Sequence, residues 1–296
     1  HAYKMILSTL DKSRKGGAYE QIPSLVLGQR WTPQLNSRNM MKVVLCVWIE
    51  PYIENDLSFC VWPVHTPTTS KEVLTLSAST SPLPYTGNKS CIVNTILSVM
   101  PKHTVYIDPC MGSAKVFFRK PRAEKEILND YNGDLVNLFR VIQNNEKLAY
   151  LLGRLYLSIN GELAFKQNKD RLKGVPNILD DVIETSQIFY DASWEDIQNA
   201  AAFLENQVYS FSSTGQTFGI ARRDMSQRLP RLMSAYNRIR DAIILHRDYK
   251  DVITYAACPG SFILLDPPYK GTEDMYSKAN FDIEQHDILF SFMSEV

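Results

Sequence analysis

Four short apolar segments, each leading into an aspartate, constrain the fold of this chain more than any other feature. They are TVYID (104–108), EILND (126–130), AIILHRD (242–248) and FILLD (262–266). Apolar runs of this length are typical of strands buried on both faces, as in parallel sheets. Helical patterns follow the first two, and this β-α-β-α order predicts a doubly wound α/β sheet. Ligands bind such sheets at the carboxyl ends of the strands. We therefore expect one ligand-binding edge that carries Asp108, Asp130, Asp248 and Asp266.

The remaining segments predict that helices interrupt the sheet domain. Between residues 144 and 240 the pattern is amphipathic, with Leu148, Leu151, Leu152 and Leu155 in one stripe and a capping box at SWED (193–196). The polar loop SFSSTGQTFG (210–219) breaks these helices. Before residue 80, KVVLCVWIE (42–50) and FCVWPV (59–64) are possible strands, and a Ser/Thr/Pro-rich linker follows them. We expect an N-terminal extension (1–80), two halves of a sheet domain (81–143 and 241–296) and a helical insertion (144–240).

Charge and cysteine content limit the classes of protein. The 296 residues include 32 basic and 32 acidic side chains, so any nucleic-acid-binding face must be a local patch. No apolar run approaches the length of a membrane span, and the N-terminus has no secretory pattern. The five cysteines are scattered without metal-site spacing, which favours free thiols in a reducing cytoplasm and no metal site. The chain begins with His1 and ends within an amphipathic helical pattern, which predicts a fragment truncated at its C-terminal end.

The first three strand ends carry candidate ligand sites. In YIDPCMGSA (106–114) a turn containing Gly112 leads into a helix, which brings backbone close to a ligand; an ordinary βα turn is the alternative. Asp130, about twenty residues later, is placed to accept from ribose hydroxyls, and Asp134 is expected to cap the next helix. Asp248 could accept from an exocyclic amine while Tyr249 covers a ring face. A plain polar strand end is the alternative there.

A basic segment precedes the third strand end. Between Gly219 and Arg247 seven arginines stand against two aspartates, and the arginines lie at positions 222, 223, 228, 231, 238, 240 and 247. The preceding loop is rich in hydroxyl groups. Arginine and hydroxyl groups are common contacts to nucleic-acid phosphates, and the alternative is a solvated helix face. The predicted DNA contacts are Arg222, Arg223, Arg228, Ser212 and Thr214.

The segment LLDPPYKG (264–271) places an acid, two prolines and an aromatic residue directly after a buried strand. Pro267 and Pro268 cannot donate backbone hydrogen bonds and have a fixed φ, so their carbonyl groups are free to face a ligand. Tyr269 is held close to Asp266. On these residues alone, a strand end with a proline-rich turn is an equal alternative.

Seven segments in order resemble the Dam-like D12 class of DNA adenine-N6 methyltransferases, in a form common in phages and prophages. They run from about residue 83 to the end and are PYTGNKS, YIDPCMGSA, LNDYNGDLVNLF, SFSSTGQTFG, HRDYKDV, LLDPPYKGTEDMY and NFDIEQHDIL. The resemblance implies an S-adenosylmethionine-dependent methyltransferase sheet, adenine-N6 methylation of double-stranded DNA, and a helical insertion that recognises the target. The family's sheet continues with further strands, so one sheet edge is expected to be open unless residues 1–80 cover it. Whether an endonuclease acts with the protein stays open.

The resemblance also implies roles for single residues. Those at the S-adenosylmethionine site are Tyr85, Lys89, Asp108, Pro109, Gly112, Asp130, Asp248, Tyr249 and Asp266. In this set Asp108, Pro109 and Gly112 lie near the methionine moiety, Asp130 binds the ribose, and Asp248 with Tyr249 holds the adenine. The catalytic motif is Asp266, Pro267, Pro268 and Tyr269. The family's loop carries more glycines, and this chain has Cys110, Met111 and Ala114 in or next to those places.

Such a motif suits methyl transfer to an amine. The exocyclic amine of adenine is a poor nucleophile because its lone pair is delocalised into the ring. The carboxylate of Asp266 and the carbonyl of Pro267 can each accept one of its hydrogens, and Tyr269 can stack on the base after it leaves the helix. A sulfonium methyl donor needs no metal. Two alternatives remain: a DNA-binding protein that keeps the fold without catalysis, and N-methylation of RNA or another planar amine or amide.

Overall fold

The computed structural model describes residues 25–28, 43–49, 80–85, 89, 92–180, 192–221, 223–268 and 283–295. The described strands are β1 (Leu25–Gly28), β2 (Val43–Ile49), β3 (Val105–Asp108), β4 (Lys125–Asn129), β5 (Ile243–Leu245) and β6 (Ser261–Leu265). They form one sheet in the order β1-β2-β6-β3-β4-β5. Neighbouring strands are parallel, except that β1 runs antiparallel to β2.

The described helices connect and cover these strands. They are α1 (Val93–Val99), α2 (Lys115–Arg119), α3 (Gly133–Gln143), α4 (Asn145–Tyr156), α5 (Glu162–Lys173), α6 (Trp194–Tyr209), α7 (Leu229–Ile239), α8 (Tyr249–Ala256) and α9 (Ile283–Glu295). Short 3-10 turns lie at Phe211–Ser213 and Met225–Arg228. In the part of the chain that the structure describes, no helix is long and apolar enough to cross a membrane.

Alternate residues of the central strands enter two apolar cores, one on each face of the sheet. Tyr106 and Leu128 pack in the larger core, whereas Ile107 and Ile127 pack in the smaller core with α8 and α9. Successive side chains of a strand point to opposite faces, so a sheet covered on both sides requires apolar runs without alternation. The doubly wound α/β sheet predicted from the apolar segments is confirmed.

The N-terminal segment contributes directly to this sheet. Val43–Ile49 forms β2, as KVVLCVWIE indicated, and Val44 pairs with Ile263 of β6 in parallel. One edge of β6 is therefore paired with a strand from the segment 1–80, which was the condition for a covered sheet edge. The other possible strand (59–64) and the linker that begins at residue 66 lie outside the described residues, up to residue 79.

Helices α3 to α7 form a layered unit beside the sheet. The buried helix α6 packs against α3, α4 and α5. Its N-terminus carries the predicted capping box, in which Ser193 Oγ accepts from the Asp196 N–H and the Asp196 carboxylate accepts from the Ser193 N–H. The expectation that Asp134 caps α3 is wrong. Asn132 occupies the cap and accepts from the Asp134 N–H, because the helix begins at Gly133 and Asp134 is already its second residue.

A buried ionic cluster ties the helical unit to the sheet. Glu126 of β4 accepts hydrogen bonds from Lys120 Nζ at 2.5 Å and from Arg238 of α7 at 2.5 and 2.8 Å. The Arg238 guanidinium also lies 3.7 Å from the ring centroid of Phe117 in α2. Arg238 belongs to the basic segment, but its side chain is buried and forms an ion pair with Glu126. Arg238 therefore stabilises the core.

Candidate active site

Three of the strand-end carboxylates meet at one edge of the sheet. Asp108 ends β3, Asp130 directly follows β4 and Asp266 directly follows β6, and these three strands are neighbours. Burial raises the pKa of Asp108 to about 8; the carboxylates of Asp266 and Asp130 act in the same direction, against the hydrogen bond from Tyr106. In the described part of the chain they form no group able to hold a metal ion.

Asp108 has an unused acceptor atom. The Tyr106 hydroxyl donates to Asp108 Oδ2 at 3.0 Å, whereas Oδ1 is buried and has no hydrogen-bond partner among the described residues. An unpaired buried carboxylate oxygen is costly, so a ligand that donates a hydrogen bond or carries positive charge would stabilise this position. Tyr106 was not among the predicted site residues, although residues two apart in a strand share a face.

Asp130 organises the turn that contains Gly112. Its Oδ2 accepts from the Gly112 N–H and its Oδ1 from the Asn132 N–H, both at 2.9 Å. Burial raises the pKa of Asp130 to about 6, although the hydrogen bonds from Asn132 and Gly112 lower it. The turn uses left-handed backbone at Gly112 (φ 47°) and also at Ala114 (φ 52°). The alanine therefore occupies a conformation in which glycine is favoured, which accounts for the glycine-rich pattern of similar loops.

Lys89 and Tyr85, from the PYTGNKS segment, lie at the same edge of the sheet. Lys89 Nζ lies 2.5 Å from Asp266 Oδ2, and the two side chains are 7% and 19% exposed. A Cβ added to Gly112 would lie 3.7 Å from the ring of Tyr85, so Gly112 and Tyr85 are adjacent. The pairing of Lys89 with Asp266 was not predicted. The ion pair joins two segments that are distant in the chain. The sequence indicated only that both segments lie near the same predicted ligand.

Cys110, Asp248 and Tyr249 lie at the ends of β3 and β5. Burial, and then the carboxylates around the turn, raise the pKa of the Cys110 thiol well above its usual value. Asp248 caps α8 by accepting from the Lys250 N–H at 2.8 Å. Tyr249 is 7% exposed in the smaller apolar core; burial and the Asp248 carboxylate raise its pKa to about 12.

The structure describes the predicted catalytic motif (266–269) only up to residue 268. Pro109 and Pro267 are buried and Pro268 is half-buried. Tyr269 lies outside the described residues, so its stacking role stays a prediction. The roles assigned to Asp248, Tyr249, Pro109 and both prolines of the motif likewise stay predictions.

A basic groove of about 940 Å³ lies between the start of α5 and the segment that leads into α7. Its arginines are Arg223, Arg228 and Arg231. Arg223 also donates to the carbonyl of Val208, and Arg222 lies outside the described residues. Burial, and then the guanidinium groups of Arg231 and Arg223, lower the pKa of Arg228.

The two predicted hydroxyl contacts lie in the loop after α6. Ser212 is exposed and has left-handed backbone (φ 51°), and the Thr214 hydroxyl donates to the carbonyl of Phe211. The basic segment thus divides into three groups. Arg223, Arg228 and Arg231 line the groove, Arg240 pairs on the surface with Asp241, and Arg238 and Arg247 have internal partners.

Comparisons with known proteins are consistent with this arrangement. A family model described as D12 class N6 adenine-specific DNA methyltransferase matches residues 85–296. Modification methylase LlaI from Lactococcus lactis subsp. lactis is 21% identical, over 75% of this chain and 35% of its own length. Type II methyltransferase M1.LlaDCHI from L. lactis subsp. cremoris is 23% identical (62% of this chain, 64% of its own). Type II methyltransferase M.CviBI from Paramecium bursaria Chlorella virus NC1A is 22% identical (64% and 68%). The chain therefore spans about a third and about two thirds of the lengths of the first two relatives.

Proposed function

The chain belongs to the D12 class N6 adenine-specific DNA methyltransferase family, and we propose that it transfers a methyl group from S-adenosylmethionine to the N6 atom of adenine in double-stranded DNA. The observation that carries this proposal is the convergence of Asp108, Asp130 and Asp266 at one sheet edge, with Lys89 paired to Asp266. A reducing, cytoplasmic location is part of the proposal, since Cys110 and Cys258 are free thiols.

The charges at this edge suit the proposed methyl donor. S-adenosylmethionine, when bound, supplies a methyl group on a positively charged sulfonium, and it also carries an ammonium group. Among the described residues, Asp130 and Asp266 against Lys89 leave the edge with a negative surplus, and Asp108, whose pKa without ligand is about 8, would ionise more readily beside a bound cation. Asp108 Oδ1 also has acceptor capacity to spare. The oxygens of Asp130 already accept backbone N–H groups, but each carboxylate oxygen has a second acceptor position, which we assign to the ribose.

Asp266 is the residue we assign to the reacting amine. Its carboxylate and the carbonyl of Pro267 would each accept a hydrogen from the adenine amino group, which directs the nitrogen lone pair toward the methyl donor. The ammonium of Lys89 lies 2.5 Å from Asp266 Oδ2, and the two side chains are 7% and 19% exposed, so the ion pair holds the carboxylate in a fixed position. Pro267 is buried, so its backbone is held in place, and positioning contributes much of the rate in such reactions.

We assign DNA binding to the helical insertion (144–240). Arg223 and Arg228 line the basic groove, and they would act with Arg222, Ser212 and Thr214 on the phosphate backbone. Tyr269 would stack on the extruded adenine, and Asp248 with Tyr249 would hold the adenine of the methyl donor.

Methyl transfer from labelled S-adenosylmethionine to mixed-sequence duplex DNA tests the proposal, with mass spectrometry of digested DNA as the readout. We expect N6-methyladenine from the unchanged protein, none from Asp266→Ala, and reduced activity from Asp266→Asn, because an amide oxygen still accepts but has no charge. Asp251→Ala, an exposed carboxylate on α8, is the matched control and should be fully active. Methylcytosine as product, or full activity in Asp266→Ala, would contradict the mechanism. DNA binding without methyl transfer by the unchanged protein would favour the non-catalytic alternative.

A further inference from the structure

Asn129 is the last residue of β4, and it lies between the ends of two neighbouring strands that lead into predicted cofactor contacts. Its residue exposure is 1%, and β4 is flanked by β3 on one side and by β5 on the other. A buried side-chain amide needs partners for its two N–H donors and for its oxygen. Asn129 was not among the predicted site residues.

The side-chain amide of Asn129 bonds to the loops that follow both flanking strands. Its Nδ2 donates to the carbonyl of Pro109, after β3, at 2.8 Å and to the carbonyl of Arg247, after β5, at 2.9 Å. Its Oδ1 accepts from the Arg247 N–H at 2.9 Å. Both hydrogens of the amide are used in this way, so one planar group holds the two loops at a fixed separation.

The backbone at the end of β4 strengthens the link to the loop after β3. The Asn129 carbonyl accepts from the Met111 N–H at 2.8 Å. The next residue, Asp130, accepts from the Gly112 N–H through its side chain at 2.9 Å. The loop that begins at Pro109 is therefore joined to the end of β4 by hydrogen bonds from three of its residues, and Asn129 receives two of these contacts.

The groups that Asn129 holds are adjacent in the chain to predicted cofactor contacts. Pro109 directly follows Asp108, and Arg247 directly precedes Asp248. The residue after Asn129 is the predicted ribose contact. S-adenosylmethionine would have to reach these positions at once, so its affinity depends on the distances between them as well as on each contact.

We propose that Asn129 is a positioning residue that sets the spacing between the methionine, ribose and adenine parts of the S-adenosylmethionine site. This inference rests on the proposed function for the identity of the ligand. Asn129 acts through the backbone of Pro109 and Arg247, because both hydrogens of its amide are already used by these residues. A purely structural role would stabilise the fold without favouring ligands that span all three parts of the site.

Two ligands that differ in reach test this role. S-adenosylhomocysteine spans all three parts of the site, whereas 5′-methylthioadenosine lacks the amino-acid portion and reaches only the ribose and adenine parts. The ratio of their dissociation constants, measured by calorimetry on folded protein, reports how well the methionine part is aligned with the rest. Asn129→Leu keeps a similar volume without the side-chain hydrogen bonds. It should lower the affinity for S-adenosylhomocysteine about tenfold more than that for 5′-methylthioadenosine, a factor within the range typical of coupling between two sites.

The matched control is Asn199→Leu. Asn199 is also a buried asparagine, but it lies in α6, where its Oδ1 accepts from Arg171. Both leucine variants should lower the melting temperature, because each leaves buried polar groups unpaired. Only Asn129→Leu should change the ratio of the two dissociation constants.

Asn129→Asp provides the same test if Asn129→Leu does not fold. It has nearly the same shape and keeps an acceptor for the Arg247 N–H, but an ionised carboxylate donates to neither carbonyl. We expect the ratio to change in the same direction as in Asn129→Leu.

The outcomes for Asn129 and for the proposed function are distinct. Equal losses of affinity for the two ligands in the Asn129 variants, or no loss for either, would overturn the positioning role even if the unchanged protein makes N6-methyladenine. A changed ratio in a protein that makes no N6-methyladenine would support the role of Asn129 and overturn the methyltransferase proposal. An unchanged protein that binds neither ligand would overturn both.

Discussion

Replacing Glu126 by alanine removes the only acid of the buried cluster and leaves its two cations in place. The side chain of Glu126 is 5% exposed, that of Lys120 is fully buried, and that of Arg238 is 9% exposed. Burial alone would raise the pKa of Glu126, but hydrogen bonds from Arg238 and Lys120 hold it below its usual value. The carboxylate is therefore ionised at neutral pH, and its loss leaves two positive charges without a counter-ion in the interface between α7 and the sheet.

The expected loss of stability follows from this burial. Removing one partner of a buried ion pair typically costs about 3–5 kcal/mol, because the remaining charge has no counter-ion. For a domain of this size such a change lowers the melting temperature by roughly 6–20 °C. The surface pair of Arg122 with Asp241 lies nearby and is 44% and 62% exposed, so Asp241→Ala should cost less than about 1 kcal/mol.

Thermal unfolding and urea titration of Glu126→Ala and Asp241→Ala measure this difference directly. A triple variant, Glu126→Leu with Lys120→Met and Arg238→Met, should recover much of the lost stability, because it removes the two buried positive charges as well as the acid. Equal melting temperatures for the two single variants would refute the reasoning. So would a triple variant that is less stable than Glu126→Ala, since packing rather than charge would then dominate.

Further predictions concern the carboxylate edge of the sheet and two glycines. The folded protein without ligand holds Asp108 at a pKa of about 8, above its unfolded value of 3.8, so its contribution to stability falls as pH rises from about 4 to 8. A cationic ligand favours the ionised form of Asp108, so the affinity for S-adenosylmethionine should rise with pH from about 6 to 8, and binding should release a proton. Calorimetry in buffers of different ionisation enthalpy measures the number of protons released. The same pH dependence of affinity in Asp108→Asn would contradict this prediction. Gly153→Ala in α4 meets no atom within 4 Å and should stabilise the protein by about 0.5–1 kcal/mol. Gly133→Ala would place a Cβ 2.7 Å from Asn177 Oδ1 and should destabilise the protein by about 1–3 kcal/mol. If the melting temperatures of Gly153→Ala and Gly133→Ala shift in the same direction, helix propensity alone governs the two sites.

The fold could be predicted from local sequence patterns, because a strand that is buried on both faces needs a continuous run of apolar residues. The runs that became β3, β4 and β6 were recognised with their acids, and α3 begins and ends where GDLVNLFRVIQ predicted. The cap of α3 was misplaced because Asn132 and Asp134 are both good capping residues, and only backbone geometry decides between them.

Pairings between distant charged residues could not be predicted from the sequence. Arg238 and Arg228 look alike in the basic segment, yet one has Glu126 as its buried partner and the other lines a groove. The same holds for Lys89, whose contact with Asp266 joins the first and last motifs of the site. A charged side chain acquires its role from the tertiary partner, and periodicity carries no information about that partner.

The strand order also sets a sequence of events for folding. β6 is inserted between β2 and β3, and β5 pairs with β4 across the entire helical unit, so these contacts join residues far apart in the chain. Such non-local pairings form slowly, because long loops must close before they are stabilised. Helices α3 to α6 contact one another over shorter separations and can assemble earlier. Asp266 reaches Lys89 and the other carboxylates only once β6 is in place, so a partly folded molecule would have helices α3 to α6 packed together before it has a complete carboxylate centre.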